Sequence, residues 1–300
     1  MVQKWVTEQT ITQQQSGISV RELLRLWLIP KRMQHFLRVR QDVLVNGVYR
    51  PYSMLVEAGD VVRLVVQADE LQTPMQTYLS DSQQVMPILY ENDDLLVINK
   101  PTGIKSHPNR PDEAGTVMNF LTAQLASQNV RPAMVHRLDM ATSGAMIVAK
   151  TPIVVPILDR LIGDKTIART YKAWVAGHFD NLSGEFTNQI GRDPDDRRKR
   201  ALDGLQPQTA LTYYKVLREA KTATLVELTL ATGRTHQLRV HLAGNGHAIL
   251  GDPLYASVLE QRAASRLMLH AANIRLKVPF TDEIIDVGAV LPKDFVAYDG

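Results

Sequence analysis

Residues 135–150, VHRLDMATSGAMIVAK, place a single acid, Asp139, between the basic pair His136 and Arg137 and the small residues 141–144. An aspartate in such a turn is usually structural and bonds its own backbone. Here five apolar residues follow the turn and predict a buried strand, so the carboxylate lies at the edge of a core. An ionised carboxylate held there is suited to acid–base or nucleophilic chemistry.

Residues 224–255, TLVELTLATGRTHQLRVHLAGNGHAILGDPLY, predict a strand, a turn at a Thr-Gly pair, and a helix near 234–244. Arg234 would lie in the first turn of this helix, where the helix dipole disfavours a positive charge. The guanidinium therefore needs a carboxylate partner. We expect a bidentate contact between Arg234 and Asp139, which would orient the carboxylate and keep it ionised.

Residues 169–179, RTYKAWVAGHF, alternate in polarity and predict a strand. Tyr171 on this strand is either an ordinary half-buried tyrosine of a sheet or a platform on which a nucleic-acid base stacks. His136, His236 and His241 occur without any compact metal-binding motif, so we expect no metal site.

The elements that position these residues belong to a larger region that begins near residue 87. Its predicted strands lie near 94–99, 145–150, 171–177, 223–231 and 284–290, and its predicted helices near 115–127, 152–162 and 234–244. The order of strands and helices is irregular, which favours a mixed α+β domain over a doubly wound sheet. The chain has no glycine-rich phosphate-binding fingerprint, so no nucleotide cofactor is expected.

Residues 21–50 carry seven basic and two acidic side chains. SVRELLRLWL predicts a helix capped by Ser19, KRMQHFLRVR a second helix, and the following VNG turn a β-hairpin before a last strand. The candidate contacts to phosphate groups of a partner are Lys31, Arg32, Arg38 and Arg40. The alternative is that these cations form an ordinary solvated helix face.

The 300-residue chain is 45% hydrophobic and 22% charged, has a net charge of +3, and contains no cysteine. This composition predicts a globular cytoplasmic protein without disulfides, and neither a signal peptide nor a membrane span is expected. We predict an N-terminal module at 1–67, a polar linker at 68–86 and a larger domain at 87–300. The N-terminal module is expected to be removable without unfolding the larger domain.

Several motifs in order resemble the RluA-type family of RNA pseudouridine synthases over residues 87–295. They are DDLLVINKPTGIKSHP, HRLDMATSG, RTYKAWVAG, ATGRTHQLRVHLAGNGHAILGDPLY and RLMLHAANIRL. Ala256 and Val278 depart from residues that are frequent in the family. Residues 16–67 resemble the S-four RNA-binding module. The resemblance implies a mixed, mostly antiparallel sheet with flanking helices, preceded by a small α/β RNA-binding module.

The resemblance also implies a cofactor-free reaction that cuts uracil from its ribose, turns it and rejoins it through ring carbon 5. Asp139 would be the catalytic group, either attacking the anomeric carbon or removing the neighbouring 2′ proton. Arg234 would pair with Asp139. Tyr171 would stack on the uracil and help to remove the proton from carbon 5.

Three further residues would contact the substrate. Leu238 matches an apolar position near the base, Arg137 matches a residue that fills the gap left by a flipped-out uridine, and His136 lies beside them in sequence. The polar run 192–200, RDPDDRRKR, either touches RNA or is a solvated loop, because three aspartates accompany its basic residues.

The resulting hypothesis is an RNA pseudouridine synthase that acts on large-subunit ribosomal RNA, as family members with this layout mostly do. The alternatives are the same activity on tRNA, a non-catalytic RNA-binding or ribosome-assembly protein with this fold, and a metal-dependent hydrolase. RNA is the expected partner. We expect no membrane contact and no obligate protein partner, and the chain is expected to be a monomer.

Overall fold

The computed structural model describes residues 4–71, 76–128 and 130–298, apart from the side chain of Asp69. In chain order the strands are β1 Lys4–Thr10, β2 Val43–Val45, β3 Val48–Tyr49, β4 Val61–Gln67, β5 Ile88–Glu91, β6 Leu95–Lys100, β7 Ala133–Met134, β8 Ser143–Ala149, β9 Ala168–Ala176, β10 Ser183–Phe186, β11 Ile190–Arg192, β12 Arg200–Leu202, β13 Leu205–Gln208, β14 Thr212–Glu219, β15 Ala223–Leu230, β16 Leu269–Lys277 and β17 Ile284–Gly288. The α-helices are α1 Val20–Leu26, α2 Lys31–Val39, α3 Val117–Gln124, α4 Val155–Gly163, α5 Gln237–Gly244, α6 Val258–Arg262 and α7 Lys293–Val296. Short 3₁₀ turns lie at Gln13–Gln15, Ala68–Glu70 and Ala126–Gln128.

The N-terminal part is a four-stranded antiparallel sheet in the order β1-β4-β2-β3, against which α1 and α2 pack. The predicted cap is present, because Ser19 Oγ accepts from the backbone N–H of Glu22 at 3.2 Å. Asn46 and Gly47 both adopt left-handed backbone angles, with φ of 52° and 78°, as a two-residue hairpin turn requires. The two helices, the hairpin and the last strand of this part were predicted correctly, whereas β1 was not.

The N-terminal part shares a hydrophobic core with the larger domain. The Trp27 and Phe280 rings meet edge to face with centroids 5.4 Å apart, and Gln15 Nε2 donates to the Phe280 carbonyl at 2.9 Å. Removal of the N-terminal part would expose Val278 and Phe280, which are 1% and 4% exposed. The shared core therefore predicts that this removal destabilises the larger domain.

The predicted linker at 68–86 contributes to the core at both ends. Glu70 is buried near its start, and Tyr78 and Met86, which are 8% and 1% exposed, pack in the second hydrophobic cluster. Residues 72–75 of this segment lie outside the described residues. The described part of the segment is thus packed rather than a free tether.

The central sheet of the larger domain has the order β10-β14-β15-β9-β16-β8-β6-β5, with β17 paired to β16 and β7 to β8. All its pairings are antiparallel except that of β8 with β16, which aligns Ser143 with His270 and Gly144 with Ala271. Gly144 has φ +112°, and a Cβ there would overlap the carbonyl oxygen of Ala271. Glycine is needed at 144 because two backbones meet there.

This architecture is the predicted α+β class with a mixed, mostly antiparallel sheet. The predicted strands and helices of the larger domain are present, but their ends are shifted by up to three residues. The strands β5, β7, β10–β14 and β16 and the short helices α6 and α7 were not predicted. No helix in the described parts of the chain is long and apolar enough to cross a membrane.

Candidate active site

The loop that carries Asp139 is fastened by the segment that follows β6. The Lys100 ammonium donates to the carbonyl oxygens of Met140 at 3.1 Å and Thr142 at 2.7 Å. Ser106 Oγ accepts from the backbone N–H of Leu138 at 3.2 Å and donates to its carbonyl at 2.7 Å. Contacts on both sides of residue 139 therefore fix the backbone from which its carboxylate projects.

Lys100 is 0% exposed, which is rare for a lysine. Burial lowers the pKa of its ammonium to about 7, and the nearby charge of Asp139 opposes part of this shift. The hydrogen bonds to backbone carbonyls explain why such a group is tolerated there. Its function in the fold is to tie the Asp139 loop to the end of β6.

Asp139 is held by Arg239. Arg239 Nη1 donates to Asp139 Oδ2 at 3.1 Å, and its Nε and Nη2 form a two-bond contact with Asp252, both at 2.7 Å. The side chains of Arg239 and Asp252 are only 5% and 0% exposed. Burial would lower the pKa of Arg239, but the hydrogen bonds and charges of Asp252 and Asp139 raise it. Arg239 thus links a buried carboxylate to the half-buried carboxylate of Asp139.

His236 completes this cluster. Its backbone is left-handed, with φ 57°, and its Nε2 lies 3.8 Å from Asp139 Oδ2. Its Nδ1 is hydrogen-bonded to the Tyr255 hydroxyl at 2.8 Å. Burial lowers the pKa of His236, while the charge of Asp139 opposes this shift. The guanidinium of Arg239 lies over the Tyr255 ring, 5.0 Å from its centroid.

The expected pair of Arg234 with Asp139 is wrong. Arg234 Nε donates to the Thr209 carbonyl at 2.9 Å, and its backbone N–H donates to Gln237 Oε1 at 2.9 Å. The physical reason is the position of the helix start. Helix α5 begins at Gln237 and not near 234, so the arginine in its first turn is Arg239. The argument that a basic first turn needs a carboxylate partner therefore applies to Arg239.

A cavity of about 280 Å³ lies in front of this cluster. Five of the residues predicted to act at the site line it: Arg137, Asp139, Tyr171, Arg234 and Leu238. Leu138, Leu230 and Leu269 add apolar surface, and Arg169 and Arg239 add positive charge. Asp139 is the single carboxylate among the described residues that line the cavity. No group of three or more His, Cys, Asp or Glu side chains in the described ranges is placed to hold a metal ion.

Tyr171 reaches the cavity from β9, where it pairs with Leu228 on β15 and Ala271 on β16. It is 5% exposed, and its hydroxyl has no hydrogen-bond partner among the described residues. Burial raises its pKa, and the charge of Asp139 adds to this effect although Arg169 opposes it. The ring is therefore fixed and neutral, with a hydroxyl free to meet a ligand.

His136 does not line the cavity, so the expected substrate contact is wrong for this residue. Its Nε2 accepts from the backbone N–H of Ile147 in β8 at 2.8 Å, and its Nδ1 is buried. Burial, with a contribution from Arg169, lowers its pKa to about 3. A neutral ring that accepts a backbone hydrogen bond is a structural residue of β8.

The four basic residues predicted in the N-terminal module differ in their surroundings. Lys31, Arg32 and Arg38 are exposed on α2, and Arg32 lies over the Phe36 ring. Arg40 instead contacts Asp42 at 2.7 Å and forms an ion pair with the buried Glu70. The prediction that Arg40 contacts RNA phosphates is therefore wrong, because its guanidinium is already neutralised within the fold.

Sequence reasoning missed the residues that surround Asp139. They are Lys100, Arg169, His236, Arg239, Asp252 and Tyr255. All six lie inside the motifs quoted above, but no local pattern shows which of the two arginines in GRTHQLR faces the acid. A correct helix boundary would have identified Arg239.

Comparisons with known proteins identify the family of this chain. Residues 94–244 match the family described as RNA pseudouridylate synthase, and residues 7–62 match the RluD ribosomal pseudouridine synthase N-terminal domain. A Bacillus subtilis protein described as an uncharacterized RNA pseudouridine synthase, YhcT, is 38% identical over 259 residues, which are 85% of this chain and 83% of that protein. The ribosomal large subunit pseudouridine synthase D of Zymomonas mobilis is 36% identical over 224 residues, or 70% of each chain.

A solved structure of similar fold is human RNA pseudouridylate synthase domain containing 1. It has a TM-score of 0.60 and 29% sequence identity over 72% of this chain and 87% of the human chain. The matched family region contains Asp139, Tyr171, Arg234 and Arg239, that is, the side chains gathered at the cavity. The chain therefore belongs to the RNA pseudouridine synthase family.

Proposed function

We propose that Asp139 is the catalytic residue of an RNA uridine isomerase and that the cavity of about 280 Å³ receives a single flipped-out uridine. The observation that carries this proposal is the contact of Asp139 with Arg239, at 3.1 Å, in a cavity where no other described lining residue is acidic. The volume lies just below the range of about 300–1,000 Å³ that is usual for drug-sized ligands, which suits a ligand as small as one nucleoside.

The proposed reaction rearranges the glycosidic bond without any net change in atoms. The bond between the uracil nitrogen and the anomeric carbon breaks, and the electron pair stays with the uracil. The base then turns, carbon 5 bonds to the anomeric carbon, carbon 5 loses its proton, and the ring nitrogen gains one. Asp139 acts on the sugar either by attack at the anomeric carbon or by removal of the 2′ proton.

The walls of the cavity support both versions of this step. The detached uracil carries negative charge, which Arg169 stabilises without reorganising solvent. Tyr171 and Leu238 supply a fixed apolar surface for the base. The Tyr171 hydroxyl, which lacks a partner among the described residues, is placed to assist removal of the carbon 5 proton.

Flipping the uridine out of its stack costs a few kcal/mol, which a substitute side chain and stacking in the cavity offset. Arg137 is exposed at the rim of the cavity and beside Asp139 in sequence. It is therefore the residue proposed to occupy the gap in the RNA. His136 has no part in this step because its side chain points away from the cavity and accepts a hydrogen bond from the backbone of β8.

The proposed substrate is large-subunit ribosomal RNA. This choice is supported by the match of residues 7–62 to a ribosomal pseudouridine synthase domain and by relatives described as ribosomal large subunit enzymes. Lys31, Arg32 and Arg38 add phosphate contacts through the exposed face of α2. We also propose that the chain acts as a monomer in the cytoplasm.

The test is to map pseudouridine chemically after incubating the protein with unmodified transcripts of large-subunit ribosomal RNA and of tRNA. Wild type is expected to modify specific uridines of the ribosomal transcript. Asp139→Asn is expected to modify none, and Asp180→Asn, a change at an exposed aspartate outside the cavity, is expected to match wild type. Absence of product from wild type on the ribosomal transcript would refute the proposed substrate.

A further inference from the structure

A second cavity, of about 270 Å³, lies beside the one that contains Asp139. The strands β11, β12 and β13 form one side of it, and residues 233–235 form the other. Gly233, Arg234 and Thr235 line both cavities. An RNA strand that places one nucleotide in the first cavity can therefore continue directly into the second.

Three guanidinium groups line this second cavity, those of Arg192, Arg200 and Arg234. None of them contacts a carboxylate among the described residues, whereas Arg40, Arg239 and several others do. Arg200 Nη1 donates to the Lys199 carbonyl at 3.0 Å, and Arg234 Nε donates to the Thr209 carbonyl at 2.9 Å. These single bonds position the two side chains and leave most of their donors free.

The aspartates of the 192–200 loop do not neutralise these arginines. Asp193 Oδ1 accepts from the backbone N–H groups of Asp195 and Asp196, both at 2.9 Å. Asp196 accepts from the Arg198 guanidinium at 2.6 and 3.0 Å, and these bonds lower its pKa. Asp193 and Asp196 thus shape the loop, and none of its three aspartates is among the described residues that line the cavity.

The small sheet is built to bring its basic strands close to the active site. Gly191 lies so close to Gly204 that a Cβ on Gly191 would overlap the backbone of the next turn. Gln206 adopts a left-handed φ of 52°, and the side chains of Gln206 and Gln208 add polar groups to the cavity wall. The cavity therefore combines unpaired positive charge with neutral amide donors.

We propose that this second cavity binds a backbone phosphate of the RNA next to the flipped-out uridine. The inference rests on the proposed function, because a nucleotide in the Asp139 cavity is joined to its neighbours through phosphates. Guanidinium groups bind phosphate oxygens through paired N–H donors, which fits three such groups without carboxylate partners. The run 192–200 is then a substrate-binding element whose acids serve its own fold.

The experiment measures binding of an unmodified large-subunit ribosomal RNA transcript, by filter retention from 50 to 300 mM KCl, with every variant in an Asp139→Asn background. The test variant is Arg192→Gln/Arg200→Gln. The control is Lys221→Gln/Arg262→Gln, which removes the same charge from exposed residues outside both the cavity and the run 192–200. Thermal midpoints are recorded for both.

The test variant is expected to bind about tenfold more weakly at 150 mM KCl, as the loss of a charge-assisted contact predicts. The slope of log affinity against log salt is expected to fall by about 0.7–0.9, the value for one lost phosphate contact. An affinity and slope equal to those of the control would overturn the proposal. Should the glutamine variant unfold, Arg192→Lys/Arg200→Lys replaces it, because this change keeps the charge and removes the paired N–H donors. It is expected to keep the wild-type slope but to bind the RNA more weakly than the control does, and an affinity equal to that of the control would overturn the proposal.

Once the modified uridine is mapped, an RNA with one neutral methylphosphonate beside it localises the contact. Wild type is expected to lose about as much affinity for this RNA as the test variant loses for normal RNA. When the test variant binds the methylphosphonate RNA, the two losses of binding free energy are expected not to add. Full additivity at both neighbouring linkages would contradict the site. If wild type makes no pseudouridine in any RNA, the proposed function fails, but the salt dependence still reports whether the arginines bind phosphate.

Discussion

Arg239→Gln is expected to lower both the stability of the protein and its kcat. Arg234→Gln, the same change five residues earlier, is expected to leave stability nearly unchanged and to raise KM. Arg239 is 4% exposed and binds two carboxylates, while Arg234 is exposed and binds none of the described ones. The two variants therefore distinguish Arg239, the partner of Asp139 in the structure, from Arg234, the partner that the sequence suggested. Arg239 is a positioning residue, because it acts through Asp139.

The magnitude follows from Asp252, whose side chain is 0% exposed and loses both of its 2.7 Å bonds to Arg239. Leaving a buried carboxylate without its partner costs about 3–5 kcal/mol of folding free energy. Release of Asp139 from its 3.1 Å contact allows a displacement of about 1 Å, which can lower the rate about 100-fold. For Arg234→Gln, an exposed site, the expected loss of stability is below about 0.5 kcal/mol.

The assay combines urea unfolding with turnover on an RNA substrate. Arg239→Gln is expected to lower kcat with little change in KM, and Arg234→Gln to raise KM. Asp252→Asn added to Arg239→Gln removes the unpaired charge and keeps an acceptor for the Leu254 N–H. This double variant is expected to regain about 2 kcal/mol of stability but none of the lost kcat. Wild-type kcat in Arg239→Gln would refute the positioning role.

Four further outcomes are expected. Tyr171→Phe should keep the wild-type unfolding free energy and RNA affinity but lower kcat at least tenfold if the hydroxyl assists proton removal; an unchanged kcat would exclude that role. Gly144→Ala should fail to give stable protein, because its Cβ would overlap Ala271, whereas Gly233→Ala, whose nearest neighbour atom is 3.8 Å away, should fold normally in thermal melts. The folded-state pKa of His136, about 3, lies below the unfolded value of about 6.5, so the unfolded chain binds an extra proton between these values and stability is lost as pH falls from 6.5 toward 3. His136→Gln should flatten this loss by one proton in urea unfolding at several pH values, and a slope equal to that of wild type would contradict the burial of His136. Deletion of residues 1–71 should lower the thermal midpoint of the remaining domain because Val278 and Phe280 become exposed, and an unchanged midpoint would show that the shared core contributes little.

The turn at Asp139 and the strand after it were predictable because their signals are local. The small residues mark a turn, and all seven residues of β8 are buried, as its apolar run indicates. The same holds for the helices of the N-terminal module, where a Ser19 cap and helical spacing of apolar residues coincide. Strands β10–β14 were missed because much of their surface is polar and exposed.

The partner of Asp139 was not predictable to the residue, although its chemistry was. A left-handed His236 delays the start of α5 until Gln237, and nothing local in the sequence signals positive φ at a histidine. The contact of Arg40 with Glu70 is hidden for another reason, since 30 residues separate them and only the fold brings them together. For His136, the sequence shows a titratable ring but not that its nitrogens face β8.

The most direct measurement is the single-turnover rate of pseudouridine formation at saturating enzyme, for wild type, Asp139→Asn and Asp180→Asn on one RNA. Saturation removes differences in binding, so the rate reports the chemical step at the ribose. We predict that Asp139→Asn binds the RNA and unfolds as wild type does but forms no measurable product, while Asp180→Asn reacts at the wild-type rate. Product formation by Asp139→Asn at the wild-type rate would contradict the assignment of Asp139 as the catalytic group.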